Sequence, residues 1–502
     1  MLLPVAYLLL RTLDADAGVL QQLVRPRTLS VLWQTVLLAA SVTLGSIALG
    51  APLAWLTTST DLPGRRWWAV LVVLPLVIPS YVGGYVFVSA FGPRGLLQQM
   101  LQPFGVQRLP ELYGFWGAWL VLTLLSYPYI VLNAQATLRN LDPALEEAAR
   151  SLGHNARHTF WRVTLPQLRP ALAAGGLLVM LYTLSEFGAV SLLQFNSFSR
   201  AIYVQYRSAF NRDYAAALSL ILVFLTALVL LAETWTRGRG RYHRSTVGVV
   251  KPRPLVPLGR WRPLALLACG IVVGLALVVP VAVVTYWMVR GVLGNEPLSV
   301  LWSAAFNSIF SSALAALLSV IAALPVALLA VRFRSRLSSV FEGVTYLGYA
   351  LPGIVLALAL VRWASQYAPW VYQTLALMVF AYVLRFLPQA LGAIRASLLT
   401  VNPRMEEAAR SLGHTPINVA RRVTLPLIRS GLLSGGALVF LTAMKELPIT
   451  LLLGPIGFRT LATATWSATA EGFFARAAAP ALLLIVVSAL SMVLVIRDTL
   501  RR

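Results

Sequence analysis

The chain has 502 residues, 58% of them hydrophobic and only 12% charged, with a mean hydropathy of +0.76. So many apolar runs of span length exclude a soluble globular protein and point to a polytopic, all-α membrane protein. The formal net charge of +24 does not signal nucleic acid, because the basic residues sit in short clusters between apolar runs, where cytoplasmic loops collect Arg and Lys.

In chain order, Met1–Leu13 is apolar but too short to span. Pro4-Val5-Ala6 is similar to Pro280-Val281-Ala282, and LSVLW at Leu29–Trp33 recurs at Leu298–Trp302. By that parallel Met1–Leu13 is expected to be the outer half of a first span whose start lies upstream. Spans are then predicted at about 31–57, 68–92, 112–136, 171–195 and 215–235. Those of the second half fall at about 264–289, 303–331, 341–363, 370–391, 431–454 and 478–496. Counting the first, there are six per half and twelve in all. The expected organisation is a first half at 1–235, a basic linker at 236–262 and a second half at 263–502. Pro52, Pro75 and Pro79, with Pro325 and Pro352 opposite, are expected to kink helices.

Charge bias sets the orientation. Arg65-Arg66, two polar islands, the linker, Arg332/Arg334/Arg336 and Arg497/Arg501/Arg502 fall on one side, the cytoplasmic one. The linker carries eight Arg or Lys and no acid. Most loop acids outside the islands (Asp14, Asp16, Glu111, Asp213, Glu296, Glu471) face outward. With six spans each, the halves are expected to run in the same direction as parallel repeats about an axis along the membrane normal, with both termini cytoplasmic if the first helix is complete.

The islands carry most of the functional information. Glu146–Arg169 and Glu406–Arg429 are identical at 15 of 24 positions, nine of them in one run. Each opens with a helix-start signal, Asp142-Pro143 or Asn402-Pro403, and places two glutamates in the first turn. Gly153 and Gly413 stand where a helix-terminating glycine belongs. A helix of roughly ten residues is expected, then a turn, then a short basic helix ending before Leu165-Pro166 or Leu425-Pro426. Small residues at the bend allow another backbone to approach closely, as a knob meets a socket on a partner. The bland alternative, an amphipathic connector on the membrane surface, does not explain why two copies are more alike than the spans around them.

The pattern Glu-Ala-Ala, three residues, Gly, nine residues, a β-branched residue, one residue, Leu-Pro occurs in both islands. It resembles the signature loop of permease subunits in ATP-binding-cassette importers fed by a binding protein. The residues carrying the match are Glu147, Ala148, Ala149, Gly153, Val163, Leu165 and Pro166, and in the second half Glu407, Ala408, Ala409, Gly413, Val423, Leu425 and Pro426. The resemblance implies that these loops dock on a nucleotide-binding subunit, with Glu147 and Glu407 touching it and Gly153 and Gly413 forming the bend. Two copies of that ATPase and an extracytoplasmic solute-binding protein are the implied partners, besides membrane lipid. The chain has no GxxxxGK[ST] phosphate loop, so ATP is expected in the partner and no cofactor or catalytic residue here.

LSEFGAVSLL at Leu184–Leu193 and MKELPITLLL at Met444–Leu453, followed by SRAIY and GFRTLA, resemble fused two-half permeases for ferric iron, with thiamine permeases close. Ferric iron prefers hard oxygen donors. Glu186 and Glu446, equivalent under the 260-residue offset, are the candidate pathway residues, because acids within spans usually face a cavity. The alternative for each is a hydrogen bond to a neighbouring helix or neutralisation by Lys445. Tyr81, Tyr85, Tyr127 and Tyr129 are expected to pack, and His154, His158, His243 and His414 to be solvated loop residues. Lone Cys269 rules out a disulfide framework or a cysteine-based metal site, and no metal site is predicted. An ion-coupled secondary carrier is the rival class, disfavoured by the scarcity of mid-span relay residues.

Overall fold

Hydrocarbon offers backbone N–H and C=O groups no hydrogen-bond partner, so an apolar chain without barrel patterning must cross as helices. The computed structural model describes all residues except 1, 14–16, 142, 208–210, 237–254, 297–298, 334 and 502. Asp14, Asp16, Asp142, His243, Arg334, Arg502 and linker positions 237–254, with Lys251, therefore lie outside the described residues. Within them the protein is helical, and its one isolated β-bridge joins Thr60 to Val256. Eight helices are long and apolar enough to cross a bilayer, or up to ten when each of two bent pairs is taken as one span. Two shorter apolar helices, Leu3–Thr12 and Gly353–Tyr367, stand where the sequence predicts spans.

The repeat is visible in the packing. Helix Pro26–Ser59 packs on Phe115–Asn140, and Leu165–Ser185 packs on both. In the second half Ser299–Arg332, Leu375–Thr400 and Arg429–Met444 repeat that three-way contact. Equivalent glycines set the closeness: a Cβ on Gly175 would lie 3.1 Å from the Cα of Ile130, and one on Gly435 3.3 Å from the Cα of Ala390. Small residues serve helix contact in membranes because dispersion and close backbone approach replace the hydrophobic drive available in water.

The compact packing units do not follow the order of the sequence. One comprises 26–200 and 224–283, the other 1–25, 201–223 and 284–502. Within the first, the turn Gly274–Val278 packs against Phe115–Asn140 and against Leu74–Val77. Within the second, the opening helix Leu2–Leu13 packs on Gly353–Tyr367. The first unit thus takes in the start of the second half up to residue 283, and the second takes in residues 1–25 and 201–223 of the first half.

Three π-helical turns, Phe160–Thr164, Gly274–Val278 and Ala420–Thr424, each end two residues before a proline: Pro166, Pro280 and Pro426. A proline ring clashes with the carbonyl four residues back and supplies no N–H; a widened turn absorbs both defects without ending the helix. The short basic helix therefore does not stop before Leu165-Pro166 as the sequence suggests, and Phe160–Ser185 is one continuous span. In the second half the break comes later, as a 70° bend between Pro416–Leu427 and Arg429–Met444. Pro79 and Pro352 also differ from expectation. They cap the starts of Ser80–Phe91 and Gly353–Tyr367, and Pro75 lies in a 3₁₀ turn, while Pro52 and Pro325 are interior to long helices.

The segment leading into the second half is clasped to the loop after Pro26–Ser59. The Val256 N–H donates to the Ser59 carbonyl at 2.9 Å and the Asp61 N–H to the Val256 carbonyl at 3.2 Å. The Asp61 carboxylate accepts from the Leu258 N–H at 2.8 Å and pairs with Arg262. Arg262, first, and the Leu258 N–H hold the Asp61 carboxyl below its usual value. A depressed carboxyl pKa contributes stability that is present above the unfolded-state value and lost as pH falls through the folded one. The clasp should therefore persist at neutral and mildly acidic pH. Asp61→Arg should lower the thermal midpoint of the purified protein, and Asp61→Arg with Arg262→Asp should recover it; a swap no better than the single change would refute the clasp.

Candidate functional site

Both islands fold as the sequence predicts, each with a nine-residue helix, Pro143–Ser151 and Pro403–Ser411. The Asn402 side chain accepts from the Arg404 N–H at 3.0 Å, satisfying a donor that the helix start leaves open. Gly153 and Gly413 share a φ of +86°, which strains any residue with a β-carbon. The N–H of His154 donates to the Ala149 carbonyl and that of His414 to the Ala409 carbonyl, both at 3.2 Å, closing the two helices in the same way.

This folding sorts the residues of each island onto two faces. Glu147, Ala148, Glu407 and Ala408 are exposed, whereas Ala149 and Ala409 are buried. At the tips Leu152 and Leu412 are 79% and 81% exposed, alike in the two copies. Gly153 and Gly413 are exposed at the bend, and Leu165-Pro166 and Leu425-Pro426 stand at the joint between island and span. The His154 and His158 rings stack with centroids 4.4 Å apart on the first island.

The glutamate preceding each motif glutamate points the other way. Glu146 accepts from the Thr164 hydroxyl at 2.5 Å and Glu406 from the Thr424 hydroxyl at 3.0 Å, joining each island helix to the π turn that leads into the span. Glu406 also pairs with Arg332 at 3.1 Å, at the end of Ser299–Arg332. Sequence reasoning missed these struts. Their signal was present, since the Thr of the VTLP string stands 18 residues after the inner glutamate in both copies.

Glu186 and Glu446 lie at a second duplicated feature, a break in the helix that leaves each island. Leu165–Ser185 ends at Glu186 and the chain restarts as Gly188–Leu192; Arg429–Met444 ends just before Glu446 and restarts as Pro448–Leu453. Both glutamates are buried, at 5% and 8% exposed. Each caps the short helix that follows: Glu186 accepts from the Ala189 N–H at 2.9 Å and Glu446 from the Ile449 N–H at 3.3 Å. Glu186 also accepts from the Ser80 hydroxyl at 2.8 Å, and Tyr182, four residues earlier, lies within electrostatic range of it. Glu446 instead pairs with Arg385 at 3.4 Å.

The family described as binding-protein-dependent transport system inner membrane component matches residues 36–237 and again 323–497. The chain belongs to that family. It is 36% identical over 498 residues to the Fe(3+)-transport system permease protein FbpB 2 of Haemophilus influenzae, covering 97% of this chain and 93% of that protein. The ferric transport system permease protein FbpB of Actinobacillus pleuropneumoniae is 25% identical over 83% of this chain and 64% of its own length. The sulfate transport system permease protein CysT of Escherichia coli is 30% identical over 49% of this chain and 90% of its own length. The protein is therefore a multi-pass inner-membrane permease of an ATP-binding-cassette importer, with two copies of the permease unit fused in one chain.

Within the permease, the two helix breaks solve one problem differently. Pro79-Ser80 and Pro352-Gly353 begin equivalent helices, and Leu125 and Arg385 are equivalent under the 260-residue offset. The first half places a serine hydroxyl on its glutamate and has leucine nearby. The second omits that side chain altogether, and Arg385 fills the space: a Cβ on Gly353 would lie 1.6 Å from an Arg385 guanidinium nitrogen. Arg385 is the functional residue that sequence reasoning most needed and missed, although a lone arginine in the apolar run AYVLRFLPQ was the signal. Arg385→Leu should cost about 3 kcal/mol by leaving Glu446 buried without its cation. Gly353→Ser should displace the guanidinium and destabilise as well, while Gly353→Ser with Arg385→Leu copies the first half and should recover most of the loss. A double variant at the sum of the single losses, in thermal unfolding of the purified permease, would contradict this pairing.

Proposed function

We propose that this permease imports ferric iron handed over by an extracytoplasmic solute-binding protein, and that two copies of a separate ATPase subunit drive it, one at each island. The observation that carries the coupling assignment is the paired set of exposed tips. In both halves a Schellman-closed helix presents a glutamate (Glu147, Glu407), small residues and a solvated leucine (Leu152, Leu412) on one side. On the other side it is strutted to its span through Glu146–Thr164 or Glu406–Thr424. A knob stiffly attached to a membrane helix is what a lever requires. ATP-driven closure of the ATPase pair draws the islands together, and the spans that follow them pass the motion to the outer face. ATP is bound and hydrolysed in the partner, and this chain holds no cofactor. The islands and both termini face the cytoplasm in this reading, and the repeat divides at the basic linker between 235 and 263.

The cargo assignment is supported by similarity to an Fe(3+)-transport permease along nearly the whole chain. Similarity to a sulfate permease covers about half of it and bears on class rather than cargo. In this reading Glu186 and Glu446, at the ends of their spans remote from the islands, line the outer half of the pathway. Glu147→Arg with Glu407→Arg should reduce ATP-driven uptake of radiolabelled iron in membrane vesicles to background while the permease stays inserted. Normal uptake by that variant would sink the coupling assignment. In cells lacking and then regaining the transport system, restored thiamine uptake with no change in iron would overturn the cargo assignment alone.

A further inference from the structure

The two helix breaks differ in more than the serine and the arginine. Around Glu186 stand Ser80, which donates to the carboxylate, Tyr182, four residues earlier in the chain and within electrostatic range of it, and Tyr129. The Tyr129 ring packs on that of Tyr182 with centroids 5.9 Å apart, and Tyr129 lies within electrostatic range of Glu186. Both tyrosines are half-buried while the carboxylate is buried. Under the 260-residue offset Tyr129 corresponds to Gln389 and Tyr182 to Thr442, and those two hydrogen-bond each other at 3.0 Å. The first half therefore gathers a carboxylate, two phenols and a hydroxyl, with no cation paired to Glu186 among the described ion pairs. The second half lacks phenols at these two positions and the hydroxyl on its glutamate; Tyr382 comes within electrostatic range of Glu446 but is hydrogen-bonded to Thr450, and Arg385 pairs with the carboxylate. Interrupted helices at membrane depth are where transporters build sites for ions.

We propose that Glu186, Tyr182 and Tyr129 form a transient ferric-ion site in the first half only, with Ser80 orienting the carboxylate. The proposal rests on ferric iron being the cargo. Hard oxygen donors suit Fe³⁺, and phenolate and carboxylate are the hardest that side chains supply. The charges balance as well. An ionised Glu186 and two tyrosines that each lose a proton carry three negative charges against the ion's three positive ones. The assembled site is then neutral, which lowers the cost of holding a trivalent ion in low dielectric. Iron–oxygen bonds replace the two phenolic O–H bonds, and two protons leave to water. Coordination positions beyond these three donors are left to oxygen ligands travelling with the ion. Arg385 makes the equivalent place in the second half unattractive to a cation, so the pathway offers one stopping point rather than a pair that would hold the ion too long.

Ferric iron bound by phenolate absorbs visible light through charge transfer from oxygen to metal, a signature that packing tyrosines do not give. Ferric nitrilotriacetate titrated into the purified full-length permease should raise such a band. Tyr182→Phe and Tyr129→Phe should each weaken the band and lower iron affinity by about tenfold or more, and the two together should abolish the band. Thr442→Val in the second half should leave the band unchanged. Radiolabelled iron uptake by the wild-type system is measured alongside. Uptake with no band, or a band unaffected by Tyr182→Phe, overturns the site and leaves the cargo assignment standing. Failure of the wild-type system to take up iron overturns the cargo assignment, and the site with it.

Discussion

A carboxylate removed from water must be given hydrogen bonds or a cation, and both duplicated features of this permease are built around that requirement. Glu146 and Glu406 meet it with a threonine hydroxyl from the π turn, and Glu406 adds Arg332. The result is mechanical, since an island that would otherwise hang from a flexible joint is tied to the span it leads into. Glu186 and Glu446 meet it at a break in the helix, where each satisfies the opening N–H of the next short helix. Without those carboxylates the interrupted backbone at membrane depth would lack partners for its donors. The same side chain thus ties the island to its span at one end and makes a tolerated break at the other.

Proline shapes the path between the two. Pro166, Pro280 and Pro426 are each accommodated by a π turn immediately upstream, so the helix continues where a simple reading of proline would end it. The Asp61–Arg262 clasp fixes the entry of the helix that opens the second half.

Much of this was legible in the sequence, and for physical reasons. The island helix was readable because its cap, its first-turn acids and its glycine stop are local signals, and Asn402 and Gly413 act as those signals require. The spans were readable because twenty apolar residues have few other uses. What was not legible depended on contacts between distant segments. Arg385 lies 61 residues before Glu446, and the space for its guanidinium exists only because residue 353 is glycine. Nor did local reading separate the two adjacent glutamates of each island, one facing solvent and the other turned onto a threonine; helix phase alone did not say which face would meet the span. The proline kinks were misplaced because the rule that proline disrupts a helix does not say whether the chain stops, bends or widens.

The central claim is that both islands are grasped by an ATPase. The most direct test places a photo-crosslinking residue at Leu152 and, separately, at Leu412 in native membranes containing the whole transport system. The account predicts that each position crosslinks to the same ATP-binding subunit and that the yield changes when ATP is trapped on it. Crosslinks to lipid alone at both positions, with the subunit present in the membrane, would contradict it.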